Sequence, residues 1–194
     1  MEKLDNYEAA QALTGEFETL KPGGYICKII SAKEAVSSTN KKMLVLAIDV
    51  AEGEHAGIFS RRYQELRNDT SRDPSKEVKY PSSGVYRQML EGEKAAGYLK
   101  GLMTSLEASN PNFKWDWDEK KLAGLKCGAV FGEEEYLKMD GSVGVSCKVK
   151  FIRTTKCIED GNYKIPELKK LPTRGDSFES FNFEGSSDSD DLPF

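Results

Sequence analysis

The sequence predicts a mainly β fold: a five-stranded Greek-key barrel with a helical insertion between its third and fourth strands, followed by an acidic tail without fixed structure. Three observations predict it. Stretches of alternating apolar and polar residues recur along residues 25–66 and 126–155, the pattern that buries one face of a strand. Between them Tyr98, Leu99, Leu102, Met103 and Leu106 recur at helical spacing. After Arg174 the chain holds six acids and no base, and Gly185, Ser186 and Ser187 offer almost nothing to bury, so the entropy of ordering this stretch goes uncompensated.

In chain order, residues 1–20 carry a weak helical pattern (Leu4, Tyr7, Ala10 or Gln11, Leu13) that ends near Gly15, and Pro22-Gly23-Gly24 breaks the chain. Residues 25–36 alternate with Ile and Val and read as the first strand. A polar loop, residues 37–41, leads to the second strand at 42–51, which sets Leu44, Leu46, Ile48 and Val50 on one face. After a turn at 53–57, the third strand is expected at 58–66, with Phe59, Arg61 and Tyr63 facing one way and Ser60, Arg62 and Gln64 the other. Residues 67–84 are rich in Ser, Asp, Pro and Lys without periodicity and read as a long loop or arm. The helix is expected over residues 85–108, stopped by Ser109-Asn110-Pro111. Past a short helical turn at 119–123, closed by Gly124, residues 126–138 and 142–155 form the fourth and fifth strands around the Asp140-Gly141 turn. In the fifth, Val145, Cys147, Val149 and Phe151 face one way and Ser146, Lys148 and Lys150 the other. Another hairpin turn is readable at Asp160-Gly161.

Three strands, a helical insertion and a two-strand hairpin is the element order of an OB-fold. That fold is expected over residues 1–172, with an N-terminal extension and an insertion at about 67–125, and the tail over 173–194.

The net charge of -4 is unevenly spread. Six negative charges fall in residues 175–194, which leaves +2 on residues 1–174, so an acidic pI hides a mildly basic body. No apolar run approaches the roughly 20 residues a membrane span needs, and the N-terminal stretch is polar, so a cytoplasmic protein without a membrane partner is expected. The cysteines Cys27, Cys127, Cys147 and Cys157 form no CxxC pair, and His55 is the only histidine, which argues against structural zinc and a disulfide framework.

The C-terminus reads Asp188-Ser189-Asp190-Asp191-Leu192-Pro193-Phe194. It resembles the acidic tip of bacterial single-stranded DNA-binding proteins, which end in several Asp, an aliphatic residue, Pro and a terminal Phe. Leu192 stands where Ile is usual and Ser189 interrupts the acids, changes that keep the chemistry. The detailed core sequence of the housekeeping bacterial protein is absent, so the resemblance points to a divergent phage or mobile-element version. It implies a noncatalytic protein that coats exposed strands in DNA replication, recombination or repair. It also implies that Asp190, Asp191, Leu192, Pro193 and Phe194 capture replication, recombination or repair proteins. Physically, Phe194 joins a ring and the terminal carboxylate on one residue, which fits an apolar pocket rimmed by Arg or Lys.

Single-strand binding needs cations along the backbone path and flat side chains for stacking. The candidates are Lys41 and Lys42 at the first loop, Phe59, Arg61, Arg62 and Tyr63 on the expected third strand, and Lys148 and Lys150 on the outer face of the fifth. Trp115 and Trp117, two apart, either stack on bases or cover one end of the barrel. No phosphate-binding glycine motif, nucleophile elbow or HExxH helix occurs, and Asp118 to Lys121 reads as a polar helical turn, so no enzyme, cofactor or metal is expected. The alternative reading is an acidic-tailed OB-like adaptor that binds RNA or protein. A homo-oligomer is left open.

Overall fold

The structure, a computed structural model, describes residues 18–69, 73 and 75–171. The helical pattern expected near the N-terminus falls almost wholly outside them, as does the acidic tail with its tip.

Alternation places β1 (Gly23–Val36) and β2 (Lys42–Val50) as expected. Their loop is closed by two hydrogen bonds between Ser37 and Lys41, with Asn40 at φ 59, a left-handed position that Asn tolerates. The hairpin of β4 (Lys126–Leu137) and β5 (Val143–Arg153) likewise turns at Asp140-Gly141, where Gly141 takes φ 81 and the Ser142 N–H donates to the Asp140 carboxylate at 2.9 Å. Among the described residues the chain is mainly β, with one five-stranded sheet in the order β3-β2-β1-β4-β5, where β3 is Val85–Met89, and every neighbouring pair antiparallel. β1 is central. It bonds β2 from Cys27 to Val36 and β4 from Gly23 to Lys28.

The third strand is not where alternation put it. Residues 58–66 belong to a helix, α1 (Ile58–Asn68), and β3 is Val85–Met89, inside the span expected to be helical. Phe59, Tyr63 and Leu66 also fit helical spacing, and nine residues cannot separate the two periods. A distant group decides. Asp49, 3% exposed at the end of β2, accepts from the N–H groups of Phe59 at 3.0 Å and Ser60 at 2.8 Å. It thereby serves as the N-cap that α1 lacks locally, since Gly57 at the cap position has no side chain. For β3, the Glu91-Gly92 break, with Gly92 at φ 117, separates a Val- and Tyr-bearing strand from the true helix, α2 (Ala95–Ser109).

The core lies between the inner face of the sheet, α1 and α2. Cys27 faces Cys127 across the β1–β4 ladder, both fully buried beside Ile29, Ala129 and Phe131. α2 adds Leu102, Met103 and Leu106. The outer face of β1 and β4 is covered by α3 (Thr155–Glu159), which stands where a hairpin was readable. Thr154 caps it by accepting from the Cys157 N–H at 3.1 Å, and Gly161 at φ 66 closes it. Its close approach requires glycine: a Cβ at Gly128 would lie 2.5 Å from Ile158 Cγ1.

A bulge in β5 corrects another expectation. Val149 pairs with Phe131 and Phe151 pairs with Val130, so Lys150 is the extra residue. Phe151 is thereby turned to the face opposite Val149, and Ile152, 4% exposed, takes the core position. Among the described residues no helix is long and apolar enough to cross a membrane.

Candidate nucleic-acid interface

The predicted residues divide between two places. On α1, Phe59 is 5% exposed and stacks on Phe131 with centroids 5.9 Å apart, so it is a core residue rather than a surface for a base. Arg61 is exposed, donates to the Ala56 carbonyl and pairs with Glu18 at 3.3 Å. Arg62 is half-buried on the same helix. One helical turn past Phe59, half-buried Tyr63 meets Tyr80 at 5.5 Å, and the Arg67 guanidinium lies 5.8 Å from its ring centroid. These side chains line one wall of an open groove whose other wall is the irregular stretch of β1, Ile30 to Lys33. Tyr80 donates to the Ile48 carbonyl at 3.1 Å, and burial pushes its phenol well up, so it enters the groove as a neutral ring edge.

The second place is the outer face of β4 and β5. Glu134, 5% exposed, holds Lys148 at 2.5 Å through one carboxylate oxygen and Lys150 through the other. Burial opposes its ionisation, yet the bonds from Lys148 and Lys150 hold the carboxyl below its ordinary value. Arg87 on β3 senses the same carboxylate: burial lowers the guanidinium pKa, and Glu134 acts against that. Two ammonium groups therefore share one carboxylate, and the Arg87 guanidinium feels its charge. Among the described residues Arg87 Nε and Ser146 Oγ are buried without a hydrogen-bond partner, and Ser146 is the cross-strand neighbour of Glu134. Further along the same face Tyr136, 41% exposed, lies across Gly144, where a Cβ would come within 2.7 Å of its ring.

A family model described as a protein of unknown function (DUF669) matches residues 5–83. That stretch carries β1, β2 and α1 and ends before β3 begins, so it contains the groove and excludes the cluster around Glu134. Among curated proteins, none matches the chain.

Lys41 and Lys42 are exposed at the loop between β1 and β2, whose backbone is tied to the end of β3 by Lys42 N–H to the Glu91 carboxylate at 3.1 Å. Arg67, Arg87, Glu134 and Tyr136 were not singled out from the sequence. Arg67 follows Tyr63 by four residues, a spacing that matters only once the segment is known to be helical. Arg87 becomes meaningful only when β3 is placed near β5, with which it is in contact.

Proposed function

We propose that this protein is a noncatalytic single-stranded DNA-binding protein with an OB-type barrel, which coats exposed strands and recruits partners through Asp190 to Phe194. The observation that carries the reading is the pair of ammonium groups, Lys148 and Lys150, that share the single carboxylate of Glu134, with the Arg87 guanidinium feeling the same charge. A phosphodiester supplies the acceptor oxygens and negative charge that such a group lacks. Tyr136 beside it and Tyr63 with Arg67 in the groove offer rings to bases that a single strand leaves unpaired. The barrel is supported by strand neighbours: β1 bonds both β2 and β4, α2 falls between β3 and β4, and the sheet edges β3 and β5 come into contact.

The test is a fluorescence titration with oligo-dT and with duplex of the same length, over a range of salt. Oligo-dT is expected to bind far more tightly, with a log-log salt slope of roughly -0.7 per phosphate contact. Changing Lys148 and Lys150 together to Gln is expected to flatten that slope by about 1.4. Equal affinity for duplex and single strand, or no dependence on salt, overturns the reading in favour of an adaptor for RNA or protein.

A further inference from the structure

Trp117 is 78% exposed, and its backbone sits at φ 69, in the left-handed region where a bulky side chain is strained. Among the described residues the other non-glycine at positive φ is Asn40, a residue type suited to it. The loop holds Trp117 there from both sides. Asp116 binds the Lys121 ammonium, and Asp118 accepts from the Lys120 N–H at 3.1 Å, capping the 3₁₀ turn Glu119–Leu122 whose Leu122 is fully buried. Upstream, the Trp115 N–H donates to Glu107 at 3.0 Å.

Among the described residues the aromatic neighbour of Trp117 is Trp115, 6.0 Å away and tilted by 51°, which packs against the core with its Nε1 buried and without a hydrogen-bond partner there. Strained backbone retained by firm anchoring is characteristic of sites that meet a ligand.

We propose that Trp117, backed by Trp115, is a stacking platform for an unpaired nucleobase; this rests on the single-strand reading and adds a contact apart from the groove and from the cluster around Glu134. A base suits the seat because it presents a flat face the size of an indole. Both flanking carboxylates are already engaged within the loop, and Lys114 is paired with Glu107 at 3.2 Å, while Lys120 is exposed beside the indole and supplies counter-charge for a connecting phosphate.

The experiment compares the full-length chain with Trp117→Gly and Trp117→Phe, each titrated with oligo-dT and melted. Glycine takes φ 69 without strain, so Trp117→Gly is expected to melt no lower than the parent. Its affinity for oligo-dT is expected to fall roughly 5- to 150-fold, the range of one lost stack, with the salt slope unchanged. Trp117→Phe, which keeps a flat ring, is expected to retain most of the affinity. If the parent binds oligo-dT and Trp117→Gly binds it equally well, the platform is refuted and the exposed indole is left for a protein partner. If the parent itself fails to bind oligo-dT, the single-strand reading fails first and the platform with it.

Discussion

The two sides of the sheet that gather the candidate residues are built on opposite plans. On the α1 side, aromatic rings do double duty: Phe59 is spent entirely in the core, Tyr80 nearly so, and Tyr63 keeps part of its surface. On the β4–β5 side, charges are held in place by another charge, and the rigid strands carry them. The first side can offer shape and stacking, and the second can offer fixed cations. Binding a single strand draws on both, because phosphate contacts give affinity and salt dependence while rings select unpaired bases.

The α1 side hangs on one carboxylate, and removing it is expected to have the largest effect. Asp49→Ala strips the partners from two backbone N–H groups at the start of α1, with an expected cost of about 3 kcal/mol. Thermal melting should show a drop of roughly 6 to 12 °C for a domain of this size. Asp49→Asn keeps one acceptor oxygen and should lose less. If Asp49→Ala melts with the parent, α1 does not depend on this cap and the plan described for that side is wrong.

Tyr63 tests whether the groove stacks or only packs. Tyr63→Ala is expected to weaken oligo-dT binding by about 1 to 3 kcal/mol without altering the salt slope. The variant also loses the contacts with Tyr80 and Arg67, so melting must be measured beside binding. Lower melting with unchanged affinity would assign Tyr63 to the fold alone and leave the strand to the β4–β5 side.

The difference between the two sides also explains what could be read from sequence. Four strands were legible because each carries an alternating, apolar-faced stretch that agrees with turn residues such as Asp140-Gly141, although β2 and the start of β4 are buried on both faces. Lys148 and Lys150 were legible as a pair on the outer face for the same reason. The α1 side was not, because the start of helix 58–68 is capped through N–H groups that donate to Asp49, ten residues before Phe59, and no local pattern records this. The bulge at Lys150 was equally hidden, since the sequence alternates smoothly through Phe151 and only the pairing with β4 displaces it. Glu134 was passed over as one of three consecutive glutamates, and only the fold buries it between two lysines.

Glu134 gives the finest test, because changing it should move stability and binding in opposite directions. Lys148 and Lys150 remain about one-fifth exposed, so when the carboxylate is lost they can turn toward water, and Glu134→Gln is expected to cost only about 1 kcal/mol. The carboxyl is held below its ordinary 4.5 in the folded protein. Its stabilisation is therefore present above that ordinary value and is lost as pH falls through the lower, folded one. Melting of the parent should decline with acid in that window, and Glu134→Gln should flatten the decline. In binding the sign reverses. Two lysines relieved of a competing carboxylate hold their phosphates more strongly, so oligo-dT should bind more tightly at low salt, with the number of phosphate contacts and hence the log-log slope little changed. A variant that melts lower and binds more weakly would mean that Glu134 positions the lysines for the strand rather than competing with it, and the β4–β5 side would then owe its affinity to order more than to charge.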